Sequence, residues 1–312
     1  MRARTSREIR GCGMSRDLRG AAAATLVNSE PAAAEPAREF AFSDADFRSL
    51  AQFAHEQAGI ALADSKRNLV YSRLSRRLRA LGLTSFRQYR EHLAANPAEL
   101  ESFINAISTN LTKFFREAHH FDHFRTHVAL PFVQGAHGAV GRRLRVWSAG
   151  CSTGEEPYTI AVVLKREIRD LDRHDVRILA TDIDTDVIGK GVRGEYQTNS
   201  IDEVPKSYRE FFRPIDGKRE SANVTVDEGV QKLVSFRRLN LMEPWPFNGN
   251  FDAIFCRNVM IYFDAATKTT LVERLTQKIK PGGWLYIGHS ESLIGLHPGL
   301  RLVGRTIYRR EA

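Results

Sequence analysis

Cysteine is scarce in this chain. The three present, Cys12, Cys151 and Cys256, lie far apart and at no metal-ligand spacing. That argues against a disulfide framework or a zinc ribbon and fits a reduced, cytoplasmic setting. No apolar run is long enough to span a bilayer. The short run Ala21 to Val27 follows a basic start interrupted by Glu8 and Asp17, so a secretory signal is not expected. No metal-ligand set and no internal repeat is visible, and a G-x-S-x-G nucleophile turn is taken to be missing. Of the ten histidines, His119, His120, His123 and His127 cluster on one predicted helix. A metal site would need neighbouring acids or thiols, so the cluster reads as surface polarity.

What is present suffices for a globular protein. The 312 residues, 42% of them hydrophobic, make one large domain or two ordinary ones. The formal net charge of +9 suggests an acidic partner: nucleic acid, a membrane surface or an acidic protein. Charge alone does not choose among them.

The stretch with the strongest local signal is Leu144 to Glu156, LRVWSAGCSTGEE. An apolar run with Val146 and Trp147 leads into a turn carrying Gly150, Ser152 and Gly154. A helical pattern follows from Pro157 through Leu164. Strand, small-residue turn and helix in that order build a ligand cradle in doubly wound α/β folds. The turn glycines let a ligand lie against the backbone, and the helix behind presents free N–H groups. A dinucleotide cradle needs G-x-G-x-x-G at this point. Here Glu155 and Glu156 come directly after the turn instead, and they repel phosphate and attract cations. A ligand with an α-amino group or a sulfonium, such as S-adenosyl-L-methionine (SAM), suits them. Acids are also favourable in the first turn of any helix, so the pair alone leaves both readings open.

The rest of the chain supplies context. Residues 1–38 are rich in Arg, Ala and Pro and are expected to form a disordered tail; Met14 is a second candidate start. Residues 39–131 read as helical. Ser43 with Asp46 marks a cap before Phe47, Leu50 and Phe53. A second helix, about Ser65 to Leu81, buries Val70, Leu74, Leu78 and Leu81. Its other face carries Arg73, Arg76 and Arg77. Eight basic residues and no acid fall between Lys66 and Arg90, a one-signed run that stability does not call for, so this face is expected to dock an acidic partner. Ser85 to His92 and Leu100 to Ile107 are further short helices. Thr109 to Glu117 reads by default as an amphipathic helix, and Pro131 to Arg143 as a linker.

Beyond it, strands and helices alternate. Val176 to Asp182 is the second strand, and Asp182 at its tip is placed where such folds hold ribose hydroxyls. Asp184 and Asp186 are expected to cap the next helix. Residues 194–231 break the alternation and read as an inserted antiparallel sheet. Leu233 to Asn240 and Phe251 to Arg257 are the third and fourth strands. A helix from Ala265 to Lys280 is expected to stop at Pro281-Gly282-Gly283, before a fifth strand, Trp284 to Gly288, and a terminal antiparallel pair. Glu155 and Glu156, Asp182, Asn240-Leu241 and Arg257-Asn258 thus all follow strands at one end of the sheet, where open α/β sheets bind ligands.

The segments TNLTKFFRE, RVWSAGCSTGEEPYTIA, ATDID, FDAIFCRNVMIYF and KPGGWLYIGHSESL resemble the CheR family, SAM-dependent methyltransferases that esterify glutamates of chemotaxis receptors. The resemblance runs from about Phe40 to Arg310. It implies a Rossmann-like α/β methyltransferase sheet over 132–312 with a small inserted β-subdomain at 194–231, behind an all-helical receptor-docking domain at 39–131. It implies that Asn110, Thr112 and Arg116 reach the cofactor from the helical side, and that Glu155 or Glu156 holds its amino group. Asp182 would take the ribose, Asn240 and Leu241 the adenine side, and Arg257 with Asn258 the methionyl region. Arg116 and Tyr262 would stand beside the reacting methyl as catalytic groups. Ser152 departs from the middle glycine of other methyltransferases. The product would be S-adenosyl-L-homocysteine (SAH), and the partner the cytoplasmic domain of a methyl-accepting receptor, met through Arg73, Arg76 and Arg77. A cytoplasmic monomer without nucleic-acid partner or membrane insertion is expected. The alternatives are a SAM-dependent RNA methyltransferase and a SAM-sensing adaptor without turnover.

Overall fold

The structure, a computed structural model, describes residues 38–135, 142–218 and 220–311. The expected tail therefore lies outside the described residues, apart from Arg38. From Phe40 onward the chain is one compact unit.

Helix α1 (Asp44–Ala58) starts as its sequence predicts. The Ser43 hydroxyl accepts from the Asp46 N–H at 3.1 Å and the Asp46 carboxylate accepts from the Ser43 N–H at 2.8 Å, a reciprocal cap that satisfies two orphan donors. Helix α2 (Arg67–Leu81) buries Val70, Leu74 and Leu78 and leaves Leu81 half-buried. With α3 (Phe86–Ala95) and α4 (Pro97–Ile107) these helices close on a core containing Phe47, Leu50, Phe86, Tyr89 and Phe103. The arginine face of α2 is less open than the sequence implies. Arg77 makes a bidentate pair with buried Glu99 of α4, at 2.9 and 2.7 Å, and Tyr89 donates to the same carboxylate at 3.0 Å. Arg73 donates to the Ala106 and Ser108 carbonyls at the end of α4. Arg76 is exposed.

Residues 109–117 are not a helix. The chain has no regular structure to Lys113 and then turns, with φ of +53° at Phe115 and +58° at Glu117. Tertiary packing overrides the local pattern. The Phe114 ring packs 4.9 Å from both Tyr196 and Phe212, and Phe115 packs 5.0 Å from Tyr208 and 5.6 Å from Phe121. Helix α5 (His119–Phe124) continues through a π-helical turn, Arg125–Ala129, into α6 (Leu130–Gly135). The expected linker is thus helical to Gly135, and 136–141 lie outside the described residues. The histidines are not all surface polarity. His120 is fully buried with Nε2 3.0 Å from Thr306 Oγ1, and His123 Nδ1 lies 3.0 Å from the Tyr286 hydroxyl. They dock α5 onto the sheet.

The main sheet contains β1 (Arg143–Ala149), β2 (Asp175–Asp182), β6 (Val234–Arg238), β7 (Phe251–Cys256), β8 (Ile279–Ile287), β9 (Leu300–Gly304) and β10 (Ile307–Arg310). Its order is β6-β2-β1-β7-β8-β10-β9. The first five are parallel, and β10 is antiparallel to both β8 and β9. Helices α7 (Glu155–Glu167), α8 (Thr185–Arg193) and α10 (Ala265–Lys278) connect the strands. Asp184 caps α8, accepting from the Asp186 and Val187 N–H groups. The inserted sheet is antiparallel, with β5 (Asn223–Val226) between β3 (Glu195–Gln197) and β4 (Phe212–Pro214), and α9 (Glu228–Gln231) closes it. Pro281-Gly282-Gly283 does not stop α10, which ends at Lys278; the three residues lie inside β8, where its register against β7 shifts. Glycine is needed there: a Cβ on Gly283 would come within 2.9 Å of the Asp252 and Lys280 carbonyls.

Candidate functional site

The chain order reverses between β1 and its neighbour β7, and the crevice at such a switch point is where doubly wound sheets bind ligands. The turn after β1 has φ of +82° at Gly150, +49° at Ser152 and +99° at Gly154. The glycines answer to the protein as much as to a ligand. A Cβ on Gly150 would meet Val259 Cγ2 at 2.3 Å, and one on Gly154 would meet the Tyr196 hydroxyl at 2.8 Å. Contrary to expectation, residues 150–154 do spell G-x-S-x-G, the nucleophile turn of serine hydrolases. Ser152 is not placed for that chemistry, because its hydroxyl donates to the Asn110 carbonyl at 2.9 Å and no histidine among the described residues is bonded to it.

Asp182 closes the crevice on the β2 side. Its Oδ2 accepts from the Ser152 N–H at 2.8 Å and its Oδ1 from the Asp184 N–H at 3.1 Å. Burial pushes its carboxyl up to about 6 despite these bonds. Asn110 donates to Asp184 Oδ2 at 2.6 Å and its carbonyl accepts from Ser152, so the stretch after α4 is stitched to the ends of β2 and β1. Thr112 is half-buried in the same stretch.

Beneath the turn lies Arg257, whose side chain is 2% exposed. Its Nη1 is 3.0 Å from Glu156 Oε2, its Nη2 is 3.3 Å from Glu117 Oε2, and Nη2 also donates to the Arg116 carbonyl. Ser148 donates to the other Glu156 oxygen at 2.7 Å. Glu156 therefore grips Arg257. Glu155 accepts from the Thr153 hydroxyl at 2.6 Å. Burial raises both carboxyls above the ordinary glutamate value.

On the β6 side, Asn240 donates to the Gln57 carbonyl of α1 at 2.9 Å and to Glu243 at 3.1 Å, and accepts from the Met242 N–H. Its amide is engaged by protein, and Leu241 is buried beside it. On the β7 side, Asn258 adopts φ +58°. Tyr262 donates to the Thr109 carbonyl at 3.2 Å, and its phenol is raised by burial, while nearby Arg116 and Arg73 pull it down. The Arg116 guanidinium donates to the Leu111 carbonyl at 2.8 Å. Glu155 and Glu156, Asp182, Asn240 and Leu241, and Arg257 and Asn258 thus follow the carboxyl ends of β1, β2, β6 and β7, and Asn110 and Arg116 are tied to them through Asp184 and Arg257. Arg76 and Arg77 stand apart on α2.

Sequence reasoning missed two carboxylates in this region, Glu117 and Glu291. Both lie within the motif segments, but both hold N–H groups brought close only by folding. Glu291 accepts from the main-chain N–H groups of Gly288, Asn258 and Ile261.

Comparison with known proteins accounts for this arrangement. The family description "CheR methyltransferase, all-alpha domain" matches residues 45–108, and "CheR methyltransferase, SAM binding domain" matches residues 110–308. The chain is 42% identical over 284 residues to chemotaxis protein methyltransferase 2 of Pseudomonas aeruginosa, covering 91% of this chain and 99% of that one. It is 43% identical over 275 residues to the chemotaxis protein methyltransferase of Salmonella typhimurium, covering 87% and 92%. For that of Escherichia coli the identity is 42% over 272 residues, covering 86% and 91%. The glycine turn, the acid at the tip of β2 and the Arg257-Asn258 corner are therefore parts of a SAM-binding domain, and the chain belongs to the CheR family of SAM-dependent chemotaxis methyltransferases.

Proposed function

We propose that the chain transfers the methyl group of SAM to side-chain glutamates of methyl-accepting chemotaxis receptors, giving glutamyl methyl esters and SAH. The observation that carries this reading is the meeting of Arg116 and Tyr262, from well-separated parts of the chain, beside the stretch 109–111.

The residues fit the methyl donor, which is consumed as a substrate. Arg257 Nε is buried without a hydrogen-bond partner, as suits a site meant for a ligand with a carboxylate. Each Asp182 oxygen accepts one N–H and retains a lone pair for a ribose hydroxyl. Thr112, Glu155, Leu241 and Asn258 complete the rim.

A glutamate side chain ionises near pH 4.3, so at neutral pH the acceptor is already a nucleophile. Its oxygen bonds to the methyl carbon as the carbon–sulfur bond breaks, and the bonding pair stays on sulfur. No proton moves, so no general base is required. Opposite charges vanish in the step, so exclusion of water favours it. Alignment supplies most of the acceleration, up to about 7–11 kcal/mol. Arg116 orients the carboxylate, and over-tight binding by it would slow attack. Tyr262, with its raised phenol, stays protonated and donates a hydrogen bond that sets the approach.

Docking follows from charge. Arg76 is exposed on α2, with Arg73 and Arg77 on the same side holding α4. An acidic methylation helix of a receptor suits that face, and the enzyme acts on it as a monomer in the cytoplasm. No helix among the described residues is long and apolar enough to cross a membrane. Radiolabelled SAM with receptor cytoplasmic fragments tests the reading. Glutamyl esters release methanol in base; methylated RNA does not, and an adaptor transfers nothing.

A further inference from the structure

The corner Arg257-Asn258 is held by two carboxylates from distant parts of the chain. Glu117 takes the Arg257 side chain and Glu291 takes the Asn258 main chain. Glu117 Oε2 is 3.3 Å from Arg257 Nη2 and 3.4 Å from His120 Nδ1. Its Oε1 accepts from the His289 N–H at 3.3 Å and lies 3.1 Å from His289 Nδ1. Glu291 is buried, and its Oε2 accepts from the Asn258 N–H at 2.9 Å and the Gly288 N–H at 2.6 Å; its Oε1 accepts from the Ile261 N–H at 3.3 Å.

Both carboxylates therefore act on one short loop, Gly288 to Glu291, at the end of β8. Through Glu117 this loop reaches the turn that carries Arg116, whose carbonyl is itself held by Arg257. Through Glu291 it reaches Ile261, the residue before Tyr262. The backbone here needs such restraint. Phe115, Glu117 and Asn258 all have positive φ, a conformation that side chains with a Cβ resist. The loop also sits close to its neighbour: a Cβ on Gly288 would fall 2.3 Å from Asn258 Nδ2. Glu156 already pairs with Arg257, so Glu117 is a second carboxylate on that guanidinium, and it is the one that also ties it to the loop through His289.

We propose that Glu117 and Glu291 are paired positioning residues for methyl transfer. Acting through the loop Gly288 to Glu291, they fix Arg116 and Tyr262 relative to each other and hold Arg257-Asn258 in its ligand-binding form. This rests on the roles given above to those four residues. A glutamine at 291 cannot serve: it has one acceptor oxygen, and its amide N–H₂ would face a main-chain N–H. A glutamine at 117 keeps shape but drops the attraction to Arg257.

The test uses the full chain with E117Q, E291Q and the double variant. Melting is checked first. SAH affinity is read by calorimetry, and kcat and KM are read with a receptor fragment at saturating SAM. Each single variant should lower kcat about 10- to 100-fold, the scale of a misplaced reacting geometry, with KM for the fragment within about threefold. SAH should bind about fivefold or more weakly. The double variant should lose less than the product of the two single losses, because both act on one loop. Cooperatively melting single variants with SAH affinity and kcat within about twofold of wild type would overturn the proposal, as would fully multiplicative losses. If E291Q does not fold, E117Q decides, since a glutamine there keeps an acceptor oxygen for the single loop N–H that Glu117 holds, that of His289. A wild-type protein that binds SAH but methylates no receptor fragment would sink the acceptor assignment alone, and the SAH arm would still judge the positioning.

Discussion

Titrating the ligand-free protein through pH 6 should move a proton at Asp182, and binding of the ribose should expel it. Burial holds this carboxyl at about 6, well above the 3.8 of a free aspartate. Because the folded value is raised, ionisation of Asp182 weakens the ligand-free fold as pH rises through 6, and that stability returns as pH falls. A ribose that donates to the carboxylate favours the charged form. Ligand uptake at pH 6 should then release about half a proton, and at pH 8 almost none. The same linkage makes SAH affinity about twofold weaker at pH 6 than at pH 8 and about elevenfold weaker at pH 5, or ~1.4 kcal/mol. Calorimetry in two buffers of different ionisation enthalpy reads the proton count directly. Glu155, Glu156 and Asp184 are also raised by burial and push the same way. D182N isolates the effect, since an amide does not titrate. If D182N released as many protons as wild type at pH 6, Asp182 would not be the ribose ligand.

Other outcomes follow from the same geometry. Arg116→Ala should cut kcat about 10- to 100-fold at saturating SAM; unchanged turnover would remove its orienting role. Arg76→Glu should slow receptor methylation, most strongly at low ionic strength where charges are least screened, and leave SAH affinity unchanged by calorimetry. Glu99→Gln should lower stability by about 2 kcal/mol, the scale of lost charge-assisted bonds in a partly exposed pair, read by urea unfolding. Its SAH affinity should hold, because the bonds of α4 to Thr185 at the start of α8, from Asn105 and Glu101, do not involve the Arg77–Glu99 pair.

Much of the architecture was written in short-range patterns. Ser43 with Asp46 announced α1, the Val70, Leu74 and Leu78 spacing announced the buried stripe of α2, and the apolar runs before Gly150 and after Asp175 announced adjacent parallel strands. What escaped depended on partners far away in the chain. Arg77 looks like a surface cation until Glu99 arrives 22 residues later. Residues 109–117 have helical letters, yet Phe114 and Phe115 are claimed by Tyr196, Phe212 and Tyr208. Pro281-Gly282-Gly283 normally ends a helix, and here it relieves crowding inside a strand. The site was legible as residue types at strand ends. The grip of Glu156 on Arg257 was not, because 101 positions separate them.

Phe114 gives the inserted sheet a place in the enzyme's construction. Its ring sits against Tyr196 and Phe212, one on each outer strand of that sheet, two residues before Arg116. Lys113 reaches Glu203 of the same insertion. Excising 194–231 would leave an aromatic ring in water and Arg116, the proposed orienting residue, on a slack tether. The subdomain is thus no removable ornament: any trimmed version must replace that hydrophobic seat before it can be asked to turn over.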